Sequence, residues 1–375
     1  MAFLNPASEG TSGWQFKVSG FQVSVPWNAL IGIAFIAVLW FPQFGGSATA
    51  IGQIGLAVVF GVLLMLSVLL HELAHAVAAR GFGYNVTGIT LWAMGGFTVF
   101  RTSKQHTPWR EAAIAGAGPL ATLLVAGIGW IAAGALGQGM AYDLLVALTQ
   151  ANLLVGFFNL LPGSPLDGGA IVKALVWAIT GSDRTGQVVA GWTGRVLAVV
   201  IALSPFGLAL NTGSQPSLPL VAVGLILGVL LWSGATQSLR QAEYSKRLTT
   251  AMAAQLARPV ALLDSSSSVV EVLAMASPDR HVVVLGTDGA PVGVVSLAAA
   301  QAVPESARAS TSAATVCTSI GVLPQVAPDD TALDVLAAAE DTKARYIAVA
   351  DHSNPDKPAL IGLIDTNQVF AVEGP

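Results

Sequence analysis

A chain of 375 residues with 54% hydrophobic side chains, 10% charged ones and a mean hydropathy of +0.68 is too apolar for a water-soluble fold of its length. A formal net charge of -4 without any Lys/Arg-rich run gives no footing for nucleic acid as a partner. The single cysteine, Cys317, excludes an internal disulfide and a cysteine-based metal site, so any metal must be held by histidine or carboxylate.

Charge divides the chain in two. From Gly20 to Gly234 there are seven Lys/Arg and five Asp/Glu, whereas Leu239 to Pro375 holds nine and fifteen. The expected organisation is an N-terminal cytoplasmic segment 1–24, a membrane domain 25–235, a linker 236–256, and two small repeats at 257–302 and 314–372. Residues 1–24 are mixed and polar around Lys17, without the pattern of a cleavable signal peptide, so the first apolar run reads as a retained helix.

In chain order, six apolar runs are long enough to span a bilayer or nearly so: Val25–Phe41, Ile54–Leu70 continuing into a polar segment, Ile114–Leu136, Leu144–Leu161, Val196–Leu210 and Leu218–Trp232. Loop charge sets their direction, because short cytoplasmic loops collect Lys and Arg. The loops Pro42–Gln53, Gly137–Asp143 and Asn211–Ser217 contain neither residue; the basic residues fall on the other side or at the boundary facing it. An even number of crossings then leaves both termini in the cytoplasm. Between the second and third runs, Gly83–Phe100 is β-branched and aromatic with Gly95-Gly96 interrupting it. It reads as a hairpin packed on protein or lining a wet cavity, since open strand edges do not survive in lipid. Gly116, Gly118 and Pro119 read as close packing or a kink. His106 falls in a basic, solvated loop. Beyond Leu256 the period shortens. Strands are expected at His281–Leu285, Pro291–Ser296, Ala344–Ala350 and Ala359–Ile364, and amphipathic helices at Ser267–Ala276 and Thr331–Glu340. Helix, strand, strand occurs twice, about 60 residues apart, as in a duplicated α/β module.

The chemistry concentrates in His71-Glu72-Leu73-Ala74-His75. On a helix, positions i and i+4 share a face, so both imidazoles reach one Zn²⁺ while Glu72 reaches its water as general base. Three ionisable groups at the end of an apolar span are expensive unless they pair, coordinate or face water. A third ligand must come from the same depth. The second and fourth spans run in the same direction, and Asp167 follows the end of the fourth in Asn159-Leu-Leu-Pro-Gly-Ser-Pro-Leu-Asp167-Gly-Gly. The alternative for Asp167 is a helix N-cap near Gly169; Asp143 is on the wrong face, and Asp183 reads as a solvated turn residue. Asn159 is either a helix C-terminal residue or a donor to a substrate carbonyl.

These paired motifs resemble the site-2 protease family of intramembrane metalloproteases over about Val25–Trp232. The resemblance implies one zinc per chain held by His71, His75 and Asp167, with Glu72 as base and Asn159 binding the carbonyl. It also implies that the Gly95-Gly96 hairpin helps hold an extended substrate. Family members cut single-pass membrane proteins such as anti-sigma or pro-sigma factors, and no PDZ domain fits between the two motifs here. The C-terminal duplicate resembles a pair of CBS domains, which implies an adenine nucleotide ligand, a homodimer contact or a docking surface for substrate. Gly293-Val-Val-Ser296-Leu-Ala-Ala299 and Gly362-Leu-Ile-Asp365-Thr-Asn-Gln368 depart from the nucleotide-binding pattern of such domains. The expected fold is thus a multi-pass α-helical membrane protein with a membrane-associated β-hairpin and a cytoplasmic α/β CBS pair. Two rival readings stay open: a CBS-gated transporter or channel, with the histidines and aspartate forming an ion path, and an inactive membrane scaffold.

Overall fold

The computed structural model describes residues 13–45, 49–92, 95–101, 107–277, 279–321, 323–351 and 359–366. The loop carrying Lys104 and His106 and the end of the second repeat lie outside them. The chain divides into two compact units, Met1–Ala242 and Glu243–Pro375.

The first unit opens with two strands, β1 (Gly13–Val18) and β2 (Phe21–Pro26). Ser19 and Gly20 between them both have positive φ, the geometry of a tight hairpin turn that follows the strands' own twist. Arg80 pins this turn: its Nη1 donates to the Ser19 carbonyl at 3.1 Å and its guanidinium lies 4.2 Å from the Phe21 ring centroid. Next come α1 (Asn28–Trp40) and α2 (Ala50–Gly81). The strands β3 (Asn85–Trp92) and β4 (Gly95–Arg101) pair antiparallel, and β3 lies parallel to β2, so the sheet order is β1-β2-β3-β4 with β4 at an edge. The hairpin expected at 83–100 is therefore half of a four-stranded sheet. Segment 1–24, read as mixed and polar, supplies β1 and most of β2. Period-two burial of Phe21, Val23, Ile89 and Leu91 turns one face of this sheet onto Met65, Leu69 and Ala76 of α2.

Five helices follow: α3 (Pro108–Gly134), α4 (Met140–Asn159), α5 (Asp167–Thr180), α6 (Asp183–Thr212) and α7 (Leu218–Thr250). Of the described helices, α2, α3, α4, α6 and α7 are long and apolar enough to cross a membrane. The first expected span is shorter than its apolar run, because Val25 and Pro26 belong to β2. Helix α1 has 13 residues, about 20 Å against a hydrocarbon core of about 30 Å. The division between the units falls inside α7, so the segment expected as a linker from 236 is helix as far as Thr250.

The second unit begins with α8 (Ala253–Leu256) and β5 (Val260–Asp264). There follow α9 (Val269–Met275), β6 (His281–Leu285), β7 (Pro291–Val295), α10 (Leu297–Ala302) and β8 (Cys317–Ser319). Then come β9 (Gln325–Val326), α11 (Ala332–Thr342), β10 (Tyr346–Asp351) and β11 (Ala359–Asp365). The duplication is topological: β5 runs parallel to β6 and β6 antiparallel to β7, just as β9 runs parallel to β10 and β10 antiparallel to β11. Even the helix starts repeat. Ser268 with Glu271 and Thr331 with Asp334 each form a capping box. Within this unit, burial together with the positive charge of Arg258 holds the His281 imidazole below its ordinary pKa.

Candidate metal centre

Helix α2 carries His71, Glu72 and His75 in its last third, about 31 Å along the axis from Ala50, and all three are buried. At that distance the motif stands near one border of a hydrocarbon layer entered at Ala50. The imidazole rings of His71 and His75 stack edge to face with centroids 4.8 Å apart. Their Nε2 atoms lie 3.1 Å from each other.

Asp167 arrives from a distant part of the chain. It is the first residue of α5, preceded by Leu166 as N-cap, and makes no side-chain cap. Instead, its Oδ2 lies 3.1 Å from His71 Nε2 and its Oδ1 3.4 Å from His75 Nε2. The turn that delivers it is clamped on two sides. Gly163 faces the backbone of Gly194 on α6 so closely that an added Cβ would lie 2.6 Å from its Cα, and the Ser164 amide donates to Ala190 O at 2.9 Å. From α7, Ser238 Oγ donates to Ser164 Oγ at 3.2 Å, while Gly234 leaves room for the Pro165 ring. Further along α5, Lys173 pairs with Glu111 of α3 and Asp183 of α6, each at 2.9 Å, so Asp183 is an ion-pair partner rather than a solvated turn residue.

Hydrogen bonds on the far side of each imidazole decide where its proton sits. His75 Nδ1 is 2.7 Å from the Ile114 carbonyl, which can only accept, so Nδ1 carries the hydrogen. His71 Nδ1 is 2.8 Å from Thr122 Oγ1, whose own hydrogen goes to Gly118 O at 3.1 Å, so again the ring nitrogen donates. Both Nε2 atoms therefore present lone pairs to each other and to a carboxylate. Such an arrangement is repulsive unless a cation occupies its centre. Tetrahedral ligands at about 2.0–2.1 Å from zinc stand roughly 3.3–3.4 Å apart, close to the three separations found here. These three residues form the metal-competent cluster among the described residues. Gly118 keeps its centre open: a Cβ there would lie 2.2 Å from His75 Nε2 and 2.6 Å from His71 Nε2.

Glu72 borders a cavity of about 330 Å³ with Gly96, Phe97, Thr98, Ile114 and Asp167. Thr98 of β4 donates to Glu72 Oε2 at 2.8 Å, fixing one carboxylate oxygen. Gly96, opposite Leu91 in the sheet, lets β4 run against this side chain, since a Cβ would meet Glu72 Cγ at 2.6 Å. Gly95, with φ +143, starts the strand. Asn159 closes α4, half-buried, and does not line the cavity.

Sequence reasoning passed over Ile114 and Thr122 and read Gly118 only as close packing or a kink; together they are the stripe of α3 that orients both histidines and leaves the central space. Their spacing of four, on one helix face, was the available signal. Thr98 carried no such signal, since its role depends on the sheet's position over α2.

A two-histidine, one-carboxylate centre with a neighbouring glutamate, set near one end of membrane-length helices, defines a polytopic membrane metalloprotein. The profile of peptidase family M50 matches residues 59–140 and 133–203. Among relatives, "Putative zinc metalloprotease sll0528" of Synechocystis is 30% identical over 301 residues, covering 76% of each chain. "Putative zinc metalloprotease Rip3" of Mycobacterium tuberculosis is 37% identical over 228 residues, 57% of this chain and 53% of that one. The chain thus spans about half the length of the mycobacterial relative. Among solved structures, a site-2 protease from Methanocaldococcus jannaschii matches 60% of this chain and 96% of its own at 25% identity, with a TM-score of 0.42. The chain belongs to peptidase family M50, the family of the site-2 proteases. Membership implies zinc, and the donor set described above fits it.

Proposed function

We propose that this chain is a zinc endopeptidase that hydrolyses peptide bonds in or near transmembrane segments of membrane-protein substrates. The observation that carries the reading is the meeting of three lone-pair-bearing ligand groups, from helices 96 residues apart in sequence, beside the carboxylate of Glu72. Zinc, when bound, supplies a Lewis acid for the scissile carbonyl and makes an attacking water easier to deprotonate. His71, His75 and Asp167 hold it, and Thr122 and the Ile114 carbonyl keep the histidines in the correct tautomer. Glu72, with Oε2 anchored by Thr98, takes the water's proton on its other oxygen and returns it to the leaving amine nitrogen. Asn159, at the end of α4, serves the substrate carbonyl in this reading.

Substrate backbone must be extended to be cut. Among the described strands β4 lies at the edge, and a stretch unwound at Gly95-Gly96 replaces its lost helix hydrogen bonds by strand addition there. Single-pass proteins such as anti-sigma or pro-sigma factors suit this geometry. In this reading the second unit is a cytoplasmic CBS-type pair that regulates cleavage, and the basic residues of the loops on its side of the membrane support that orientation. Asp365, where a serine or threonine is usual in such domains, is bound to Arg345 at 3.1 Å, which favours dimerisation or substrate docking over adenine nucleotide binding.

The test is incubation of purified, zinc-loaded protein with a panel of single-span proteins, followed by mass spectrometry of the fragments. Glu72→Gln and Asp167→Ala are expected to abolish cleavage while leaving the protein in the membrane fraction. Cleavage by either variant that resists chelators refutes the assignment. Ion flux across liposomes without peptide products supports the transporter reading instead.

A further inference from the structure

Arg195 is the one cation of α6 beyond its first turn. It stands about 25 Å along α6 from Thr212, and Thr236, its partner on α7, stands about 27 Å from Leu218. Two independent helices therefore place the pair near the far border of a hydrocarbon layer about 30 Å thick, entered at the Asn211–Ser217 loop. A guanidinium at that depth is costly unless something neutralises it.

No described carboxylate pairs with Arg195. Its Nη2 donates to Thr236 Oγ1 at 3.2 Å, and its Nε is buried without an acceptor among the described residues. Its planar head lies between two indoles, 4.9 Å from the Trp192 centroid and 4.9 Å from that of Trp232. Those rings are 55% and 45% exposed, beside the outward-facing Val196 and Val229. The tryptophans are where amphipathic rings settle, at the level of headgroups and carbonyls. They hold the guanidinium against rings that are themselves exposed toward lipid. The missing partner is a compact anion that approaches the guanidinium head from the bilayer, which describes the phosphate of a lipid headgroup.

We propose that Arg195, framed by Trp192, Trp232 and Thr236, binds the phosphate of an anionic phospholipid headgroup. The site rests on the membrane reading of α6 and α7 and is independent of the peptidase chemistry, so it stands or falls separately from that reading.

Native mass spectrometry of the full chain released from nanodiscs with equal amounts of phosphatidylglycerol and phosphatidylcholine tests it. Wild type is expected to retain phosphatidylglycerol over phosphatidylcholine by about fivefold, the attraction associated with one well-placed arginine. Arg195→Gln removes the preference, and Arg195→Lys, which keeps charge but loses the planar head, reduces it. Excess soluble glycerol phosphate leaves it unchanged. Equal retention of both lipids by wild type, an undiminished preference in Arg195→Gln, or displacement by glycerol phosphate overturns the proposal. Should Arg195→Gln not fold, Thr236→Val takes its place: it removes the orienting hydroxyl and no charge, and an unaltered preference there overturns the proposal equally.

Discussion

The two units solve burial in opposite ways. In the first, the interior of the helix bundle is built from small residues such as Ala76, Ala79, Ala126, Ala147, Ala151, Ala190 and Ala198, together with polar Asn152, Thr122 and the histidines. Many of its large side chains face outward, among them Ile51, Ile131, Trp130, Ile179 and Leu210, while Phe44, Phe60 and Leu64 pack inside near α2. In the second unit, Val269, Val272, Val283, Val284, Ile347, Val349 and Leu363 fill the interior. Hydrocarbon gives a leucine no reason to hide, so helices there approach through alanine and glycine, and polar groups go inside. Water drives bulky side chains in. The same chain thus reads as two solvents.

That contrast is sharpened first at Gly118, where the bundle's interior is also the metal's space. Gly118→Ala adds one methyl at 2.2 Å from His75 Nε2 and is expected to lower zinc content and cleavage at least about 100-fold. Zinc stoichiometry by elemental analysis checks it, and full occupancy in the variant contradicts the geometry. In the second unit the damaging change is a deletion rather than an addition. Val349→Ala leaves a void in a fully buried strand and costs about 2 kcal/mol, read as faster hydrogen exchange across β9, β10 and β11 in the full chain. The smallest effect belongs to the bundle's outside. Ile131→Ala, at a side chain 74% exposed, is expected to shift stability by less than about 0.5 kcal/mol in thermal unfolding; a loss as large as that at Val349 breaks the comparison.

The same contrast explains what could be read ahead of the structure. Long apolar runs declare helices in lipid, and spacing of four declares His71 and His75 as a pair. Asp167 could be matched to them because loop charge indicated a direction for the fourth span. Strands β6 and β7 lay where alternating and β-branched runs indicated. The strands β1 and β2 escaped notice although Trp14, Phe16 and Val18, then Phe21, Val23 and Val25, alternate with polar neighbours. The apolar run beginning at Val25 drew the last of these into a helix. Short strands such as β9, two residues long, carry too few side chains to show a period. Tautomer control by Ile114 and Thr122 depends on how α3 lies against α2, which no local pattern encodes.

Helix α7 packs against the Ser164-Pro165 turn through Gly234 and Ser238, then runs unbroken across the unit division to Thr250. Between those two contacts its phase is set by the helical count. One residue inserted between Gly234 and Ser238 turns Ser238 by about 100° and advances it about 1.5 Å relative to Gly234, so the two contacts no longer both meet the turn that presents Asp167. Length changes in this stretch are therefore angular changes at the turn that carries a metal ligand.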